Sequence, residues 1–372
     1  MKIAVNTRLL IKDKLEGIGW FSVETLSRIV QQHPEHDFYF IFDRPYDPSF
    51  LFAPNVKAIV APPQARHPVL YFIWFEMVIP RLLKKIKADL FLSPDGYLSL
   101  SSHIKQIAVI HDLNFEHYPK DLPRLESWYY RTFFPKYAHK ATRIATVSEF
   151  SKADIIKYYH IEDEKIDVVL NGVNLIFQPV SEAEKQQTRS AYSQGCEYFI
   201  CVGSVHKRKN IVNLLKAFEL FRAAQSADIK LLIVGQKRWW TREMQSTLNH
   251  LKYQADVIFT GRVETEELRL LMGSAIALTY VSYHEGFGVP ILEAFCCDTP
   301  VITSAITAIP EVAGEAALFV NPFSPDSIAD AMKRIYEEGE LREELIKKGR
   351  ERQKLFSWQK TANALWNCIE KA

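Results

Sequence analysis

His284-Glu285-Gly286-Phe287-Gly288-Val289-Pro290-Ile291-Leu292-Glu293-Ala294-Phe295 is the stretch that decides the fold. The run before it, Ala275-Ile276-Ala277-Leu278-Thr279-Tyr280-Val281, reads as a buried strand. The run after it reads as a helix opening at Pro290, where a missing N–H costs nothing. The unit is therefore strand, turn, helix, with two carboxylates flanking a Gly-x-Gly-x-Pro turn. The start of such a helix offers N–H groups without intrahelical partners and a partial positive charge. The glycines let a ligand approach the backbone closely. Glu285 falls on the loop and Glu293 about one turn into the helix. That suits a ligand with an anionic centre and hydroxyls at both ends, which is the form of a nucleotide-sugar. Taken alone, the two glutamates also fit an ordinary solvated connection.

Working outward, strand-like runs alternate with helical patterns along the chain. The first set covers residues 2–5, 38–42, 88–92, 107–110, 143–146 and 166–169. The second covers 198–202, 230–234, 257–259, 276–280, 300–303 and 317–320. Alternation of this kind implies parallel sheets with helices on both faces. Two sets of domain size imply two Rossmann-like, doubly wound domains. Asn-Gly and Pro punctuate the chain at Leu170-Asn171-Gly172-Val173-Asn174 and Phe177-Gln178-Pro179. The expected division is residues 1–175, residues 176–356, and a helical tail at 357–372.

With 372 residues, two cores are expected. The composition, 48% hydrophobic and 24% charged, is that of a soluble globular protein, and a net charge of +2 gives no reason to expect a nucleic-acid partner. The five cysteines, Cys196, Cys201, Cys296, Cys297 and Cys368, form no C-x-x-C pair or zinc pattern. They read as buried, reduced thiols of a cytosolic protein. No leader-like segment is expected at the N-terminus. The most apolar window, residues 69–79, is too short to span a bilayer and contains Glu76.

Other segments carry candidate chemistry. Gly17-Ile18-Gly19-Trp20-Phe21 opens a helix after the first strand, and Gly17 and Gly19 could bring N–H groups to phosphate oxygens. It lacks the third glycine of a dinucleotide fingerprint, which speaks against a nicotinamide oxidoreductase. Cys201-Val202-Gly203-Ser204-Val205-His206-Lys207-Arg208-Lys209-Asn210 follows a strand, and Arg208 and Lys209 could neutralise a departing diphosphate. As isolated sequence it reads more readily as a basic loop in solvent. His111-Asp112 lies at a strand's carboxyl end, where open parallel sheets bind ligands. In Thr146-Val147-Ser148-Glu149-Phe150-Ser151, Ser148 reads as a helix N-cap. No Asp-x-Asp follows a strand, and Glu162-Asp163-Glu164 reads as a solvated turn, so no metal site is expected.

Glu285-Gly286-Phe287-Gly288-x-Pro290-x-x-Glu293-Ala294 resembles the E-x7-E motif of the retaining glycosyltransferases of family 4. The glycine loop at Gly17, the His111-Asp112 pair, the Val147-Ser148-Glu149 string, the Arg208-Lys209-Asn210 run and Phe259-Thr260-Gly261-Arg262-Val263 resemble further segments of that family, nearly along the full length. One position departs from it: many members carry Arg directly after the glycine where this chain has Ser204.

The resemblance implies a GT-B fold, two Rossmann-like domains facing each other across a cleft, with acceptor on the first and donor on the second. It implies that Glu293 holds ribose hydroxyls and Glu285 the transferred sugar, helped by backbone N–H groups of Gly286, Phe287, Gly288 and Val289. Arg208 and Lys209 would stabilise the diphosphate beside Gly203 and Ser204. Gly17 and Gly19 would complete the phosphate cradle on closure. His111 would orient the sugar, and Gly261 and Arg262 would border the base. The expected donor is GDP-mannose or a UDP-hexose, used without metal or other cofactor. The expected acceptor is a glycan or lipid-linked glycan of a bacterial surface polysaccharide such as lipopolysaccharide. Location would be cytoplasmic. The aromatic and basic stretches 69–87 and 124–140 leave peripheral contact with the inner membrane surface open beside ordinary core packing. A nucleotide-sugar epimerase of the same fold and a catalytically silent sugar-binding subunit are the alternatives.

Overall fold

The computed structural model describes residues 1–372 and divides into two compact units. One comprises Met1–Gly172 with Trp358–Ala372, the other Val173–Ser357.

The first unit holds seven strands: β1 (Lys2–Asn6), β2 (Asp37–Phe42), β3 (Val56–Val60), β4 (Leu90–Ser93), β5 (Lys105–Ile110), β6 (Arg143–Thr146) and β7 (Ile166–Val168). All pair in parallel, in the order β3-β2-β1-β4-β5-β6-β7. Strands are added outward in opposite directions from β1 and β4, so the carboxyl ends of these two flank the switch point where such sheets bind ligands. The central strands are buried on both faces, which explains their unbroken apolar runs. Strand β3 escaped the sequence reading. It is an edge strand of five residues, apolar apart from Lys57 but short and only partly buried, with Lys57 and Val60 exposed.

The aromatic stretches of this unit mostly feed its core. Trp74, Phe75, Tyr97, Tyr129, Phe134 and Tyr137 pack together, and the Tyr129 and Tyr137 hydroxyls meet at 2.7 Å. Residues Trp74–Val78 form a π-helical turn between the helices Pro68–Ile73 and Ile79–Ile86. Glu76 lies on that turn and accepts from the backbone N–H groups of Leu100 and Ser101, which explains a carboxylate within so apolar a window. The C-terminal helix Trp358–Glu370 packs against the helix Gly17–Gln32. Trp366 stacks on His33 at 3.6 Å, and Thr361 donates to the Leu170 carbonyl at 2.7 Å.

The second unit holds β8 (Glu197–Val202), β9 (Ile229–Val234), β10 (Val257–Gly261), β11 (Leu278–Tyr280), β12 (Val301–Ser304) and β13 (Leu318–Val320). They are also parallel, in the order β10-β9-β8-β11-β12-β13, with the switch point between β8 and β11. The helices Ile211–Ala223 and Pro325–Glu337 cover one face with Leu214, Phe218, Ile328 and Met332. No helix of either unit is long and apolar enough to cross a membrane. All five cysteines are free thiols, but Cys196 and Cys296 are only half-buried, because each lies at the end of an element and makes a polar contact, to Asp228 and Gln353 respectively. The expectation of five buried thiols is corrected to three.

Candidate active site

The second unit's switch point gathers the loop after β8 and the loop after β11. Gly203 directly follows β8 at φ +135°, and Gly235 directly follows β9 at φ +142°. A Cβ on Gly235 would lie 2.1 Å from the Gly203 carbonyl oxygen, so the two loops cross where only hydrogen fits. Gly203 N–H donates to Val234 and Gly235 N–H to Gly261, which ties together the ends of β8, β9 and β10. Ser204 and Arg262 lie exposed on these loops.

Beyond Ser204 the chain makes a 3-10 turn, Lys207–Lys209, capped by the His206 imidazole on Arg208 N–H. Asn210 then adopts the left-handed conformation at φ +59°, a role Asn fills more readily than most residues. Its side-chain amide donates to the carbonyls of Val281 and Pro322, anchoring the turn to the ends of β11 and β13. This fixes Arg208 and Lys209 beneath the Glu285 loop. The sequence reading missed Asn210 as an anchor, though an Asn directly before a helix is a usable signal.

Glu285 is not solvated. It is 6% exposed, its Oε1 accepts from Lys209 Nζ at 2.7 Å, and its Oε2 accepts from Arg208 Nη1 at 2.5 Å. Burial pushes its pKa up, but Arg208 and Lys209 outweigh that and hold it at about 2. Lys209 also donates to the Tyr280 hydroxyl at 2.7 Å, and burial lowers its pKa against the pull of Glu285. Tyr280 was not singled out in sequence because it reads as part of a strand. Two cations to one carboxylate leave the cluster with net positive charge.

The expected helix forms over Val289–Cys296, one residue earlier than Pro290, with Gly288 as its N-cap at φ +113°. Ile291 N–H is already satisfied by the Gly288 carbonyl at 3.0 Å. Gly286 and Gly288 are buried with the loop, whereas the Phe287 side chain turns into the core against Phe356, so only its backbone can serve a ligand. Glu293 lies half-buried in the helix with no hydrogen bond or ion pair to its carboxylate. Burial pushes its pKa up to about 7, opposed by Lys209. An unpaired carboxyl with a raised pKa beside a cationic cluster marks a ligand-binding candidate.

In the first unit, Gly17 and Gly19 open the helix Gly17–Gln32. They differ in kind. A Cβ at Gly19 would crowd Leu15 and the Leu9 carbonyl at 3.0 and 3.3 Å, whereas Gly17 has open space around it. His111 sits past the end of β5, its Nε2 2.8 Å from the Pro94 carbonyl and its ring edge-on to Phe21 at 5.0 Å. Ser148 caps the helix Glu149–Tyr159 by accepting from Ser151 N–H.

Comparison with known proteins agrees with this architecture. Residues 17–177 match the family described as Glycosyltransferase Family 4, and residues 182–352 match Glycosyl transferases group 1. The chain is a glycosyltransferase of the family 4 type, with the two Rossmann-like domains of the GT-B fold. It is 28% identical to O-antigen chain mannosyltransferase B of Escherichia coli, over 96% of this chain and 97% of that one. It is also 28% identical to the O-antigen chain mannosyltransferase RfbU of Salmonella typhimurium, over 76% and 75% of the two chains. Among solved structures, sucrose-phosphate synthase of Thermosynechococcus elongatus matches with a TM-score of 0.80 at 20% identity, covering 100% of this chain and 98% of that one. WaaG, a glycosyltransferase involved in lipopolysaccharide biosynthesis, matches with a TM-score of 0.76 at 16% identity, covering 97% of both.

Proposed function

We propose that the protein transfers a hexose, mannose first among the candidates, from a nucleoside-diphosphate sugar to a glycan or lipid-linked acceptor with retention of anomeric configuration. The setting proposed is synthesis of a bacterial surface polysaccharide, by analogy with the two O-antigen mannosyltransferases. The observation that carries this reading is the Arg208, Lys209 and Glu285 cluster at the switch point of the second unit. GDP-mannose is favoured over UDP-hexoses by the mannosyltransferase relatives, although a neighbour of the same fold, Anabaena HepE, has been crystallised with UDP-glucose.

An ammonium carries three protons. Lys209 directs two of them to Tyr280 and Glu285, and the third is assigned to the diphosphate. Arg208 and the Val289 N–H at the start of the helix Val289–Cys296 complete the anion site. These fixed charges favour the departing diphosphate more than the bound donor, which is how such groups accelerate bond breaking. Glu285, kept ionised by its cations, accepts from hydroxyls of the transferred sugar. Glu293 accepts from the ribose. Substitution on one face passes through an oxocarbenium-like state, with a leaving phosphate oxygen taking the acceptor's proton. Arg208 and Lys209 supply the positive charge, so the reaction is expected to proceed without metal.

The first unit is assigned the acceptor. Its open cavity of about 860 Å³ is lined by Lys120, Arg124, Trp128 and Arg131 among others, suiting an anionic glycan. Nearby Phe72 and Trp128 are 48% and 57% exposed and each packs on Phe133 at 6.3 Å. That aromatic and basic surface favours peripheral contact with an anionic membrane, which vesicle flotation would test.

The direct test is incubation with GDP-[1-13C]mannose and a lipid-linked acceptor, read by NMR. An α-configured mannoside is expected. A β-configured product would overturn retention, and an epimerised nucleotide-sugar from donor alone would favour the isomerase reading.

A further inference from the structure

The first unit contains a buried ionic network that no role above uses. Arg8 follows β1 and Asp95 follows β4, so the pair straddles the sheet's switch point. Arg8 Nε donates to Asp95 Oδ2 at 2.7 Å, and Nη1 donates to the Ala65 carbonyl at 2.8 Å. The guanidinium lies over the rings of Tyr97 and Tyr71 at 4.5 and 5.1 Å. The other Asp95 oxygen accepts from Asn6 Nδ2 at 2.7 Å and from Ser93 Oγ at 3.0 Å. All four polar residues are at least nine-tenths buried. Burying so much charge is expensive unless every group is paired, and replacing such a network by apolar residues is often neutral or stabilising. Stability alone therefore gives no reason for the network.

Its geometry leads to His111. Ser93-Pro94-Asp95-Gly96 is a tight turn closed by Gly96 N–H on the Ser93 carbonyl at 3.2 Å, with Pro at the second position and Gly at the fourth. The peptide between Pro94 and Asp95 is oriented by where the Asp95 side chain is held. That peptide's carbonyl is the one 2.8 Å from His111 Nε2. A carbonyl can only accept, so Nε2 carries the proton. Nδ1 then keeps its lone pair and has no protein partner. Burial lowers the imidazole's pKa, against Pro94, Asp112 and Asp95, so the ring is neutral near pH 7.

We propose that Arg8 and Asp95 are positioning residues that lock His111 in its Nε2–H tautomer through the Pro94 carbonyl, so that Nδ1 is left to accept a hydrogen bond from a sugar hydroxyl. The sugar-orienting half rests on the glycosyltransferase reading above, and the tautomer lock does not. A ring fixed on one side by a backbone carbonyl presents its other nitrogen with defined chemistry.

The experiment is 15N NMR of the full chain labelled at histidine, with His111→Gln used to assign the ring. The unaltered protein should show Nε2–H at His111. Asp95→Asn should convert that signal to a tautomer mixture and lower kcat at least about ten-fold, with KM for the donor little changed. Asp167→Asn removes another ion pair of the same unit, to Arg143 at 2.7 Å, and should leave the His111 signal intact. Arg8→Lys, which keeps the charge but loses the fork, should behave like Asp95→Asn and serves if that variant does not fold. A His111 ring that stays Nε2–H in both network variants overturns the lock, as does an equal shift in Asp167→Asn. A shifted tautomer with unchanged kcat overturns its part in transfer. No transfer by the unaltered protein from any nucleotide-sugar overturns the sugar-orienting half, while the NMR signal still judges the lock.

Discussion

Lys209 and Glu285 lie 76 residues apart in the chain and meet at 2.7 Å between the ends of β8 and β11, with Arg208 on the other carboxylate oxygen. Each partner is costly to bury alone, so the three form one unit, and removing any member exposes the others' desolvation.

Substitution of this cluster should separate chemistry from folding. Glu285→Gln keeps an acceptor oxygen and the shape, and transfer should fall on the order of 100-fold or more. Lys209→Ala leaves Glu285 with one cation and should lose activity and also about 3–5 kcal/mol of stability. Rates paired with urea unfolding check both. Glu285→Gln with near-normal turnover would contradict its assigned role.

Acid should weaken the second unit through the same pair. Glu285 titrates at about 2 in the folded chain against an ordinary 4.5, so its contribution is complete above about 4.5 and is lost as pH falls toward about 2. Comparing unfolding of the native chain and Glu285→Gln over that range should show the difference shrinking with acid.

Glu293 should do the reverse. Its folded pKa is raised from 4.5 to about 7, so the folded state holds an extra proton between those values, and stability falls as pH rises through them. Glu293→Gln should remove that slope and be more stable above pH 7 by about 1–3 kcal/mol. The same substitution should weaken nucleotide binding. A variant with the native slope would show that another group titrates there.

Gly235→Ala tests the loop crossing that positions the cations. With φ at +142° and backbone 2.1 Å from the new Cβ, the variant should lose several kcal/mol, on the order of about 3 or more. Gly195→Ala, at φ +83° with open space around it, should lose only about 1–2 kcal/mol. Equal losses would mean the crossing is not what requires glycine.

Much of this was readable in sequence because the signals are local. Buried parallel strands write unbroken apolar runs, as at residues 107–110 of β5, and Gly286, Gly288 and Pro290 write a turn and a helix start. What was hidden depends on neighbours distant in the chain. Arg208 and Lys209 were legible as candidate diphosphate cations, but nothing local says that Glu285 lies against them. Arg8 and Asp95, 87 residues apart, carry no mark in sequence beyond an Asp-Gly turn at Asp95-Gly96. Strand β3 was overlooked although four of its five residues are apolar; it is a short, half-exposed edge strand.

The central claim is that the second unit's cationic cluster holds a nucleotide diphosphate without metal. Thermal unfolding of the full chain with GDP, UDP and their sugars, each with and without magnesium, tests it most directly. The account predicts that one nucleotide class raises the unfolding temperature equally in both conditions and that the rise is lost in Lys209→Ala. Stabilisation by none of them, or only with magnesium present, would contradict it.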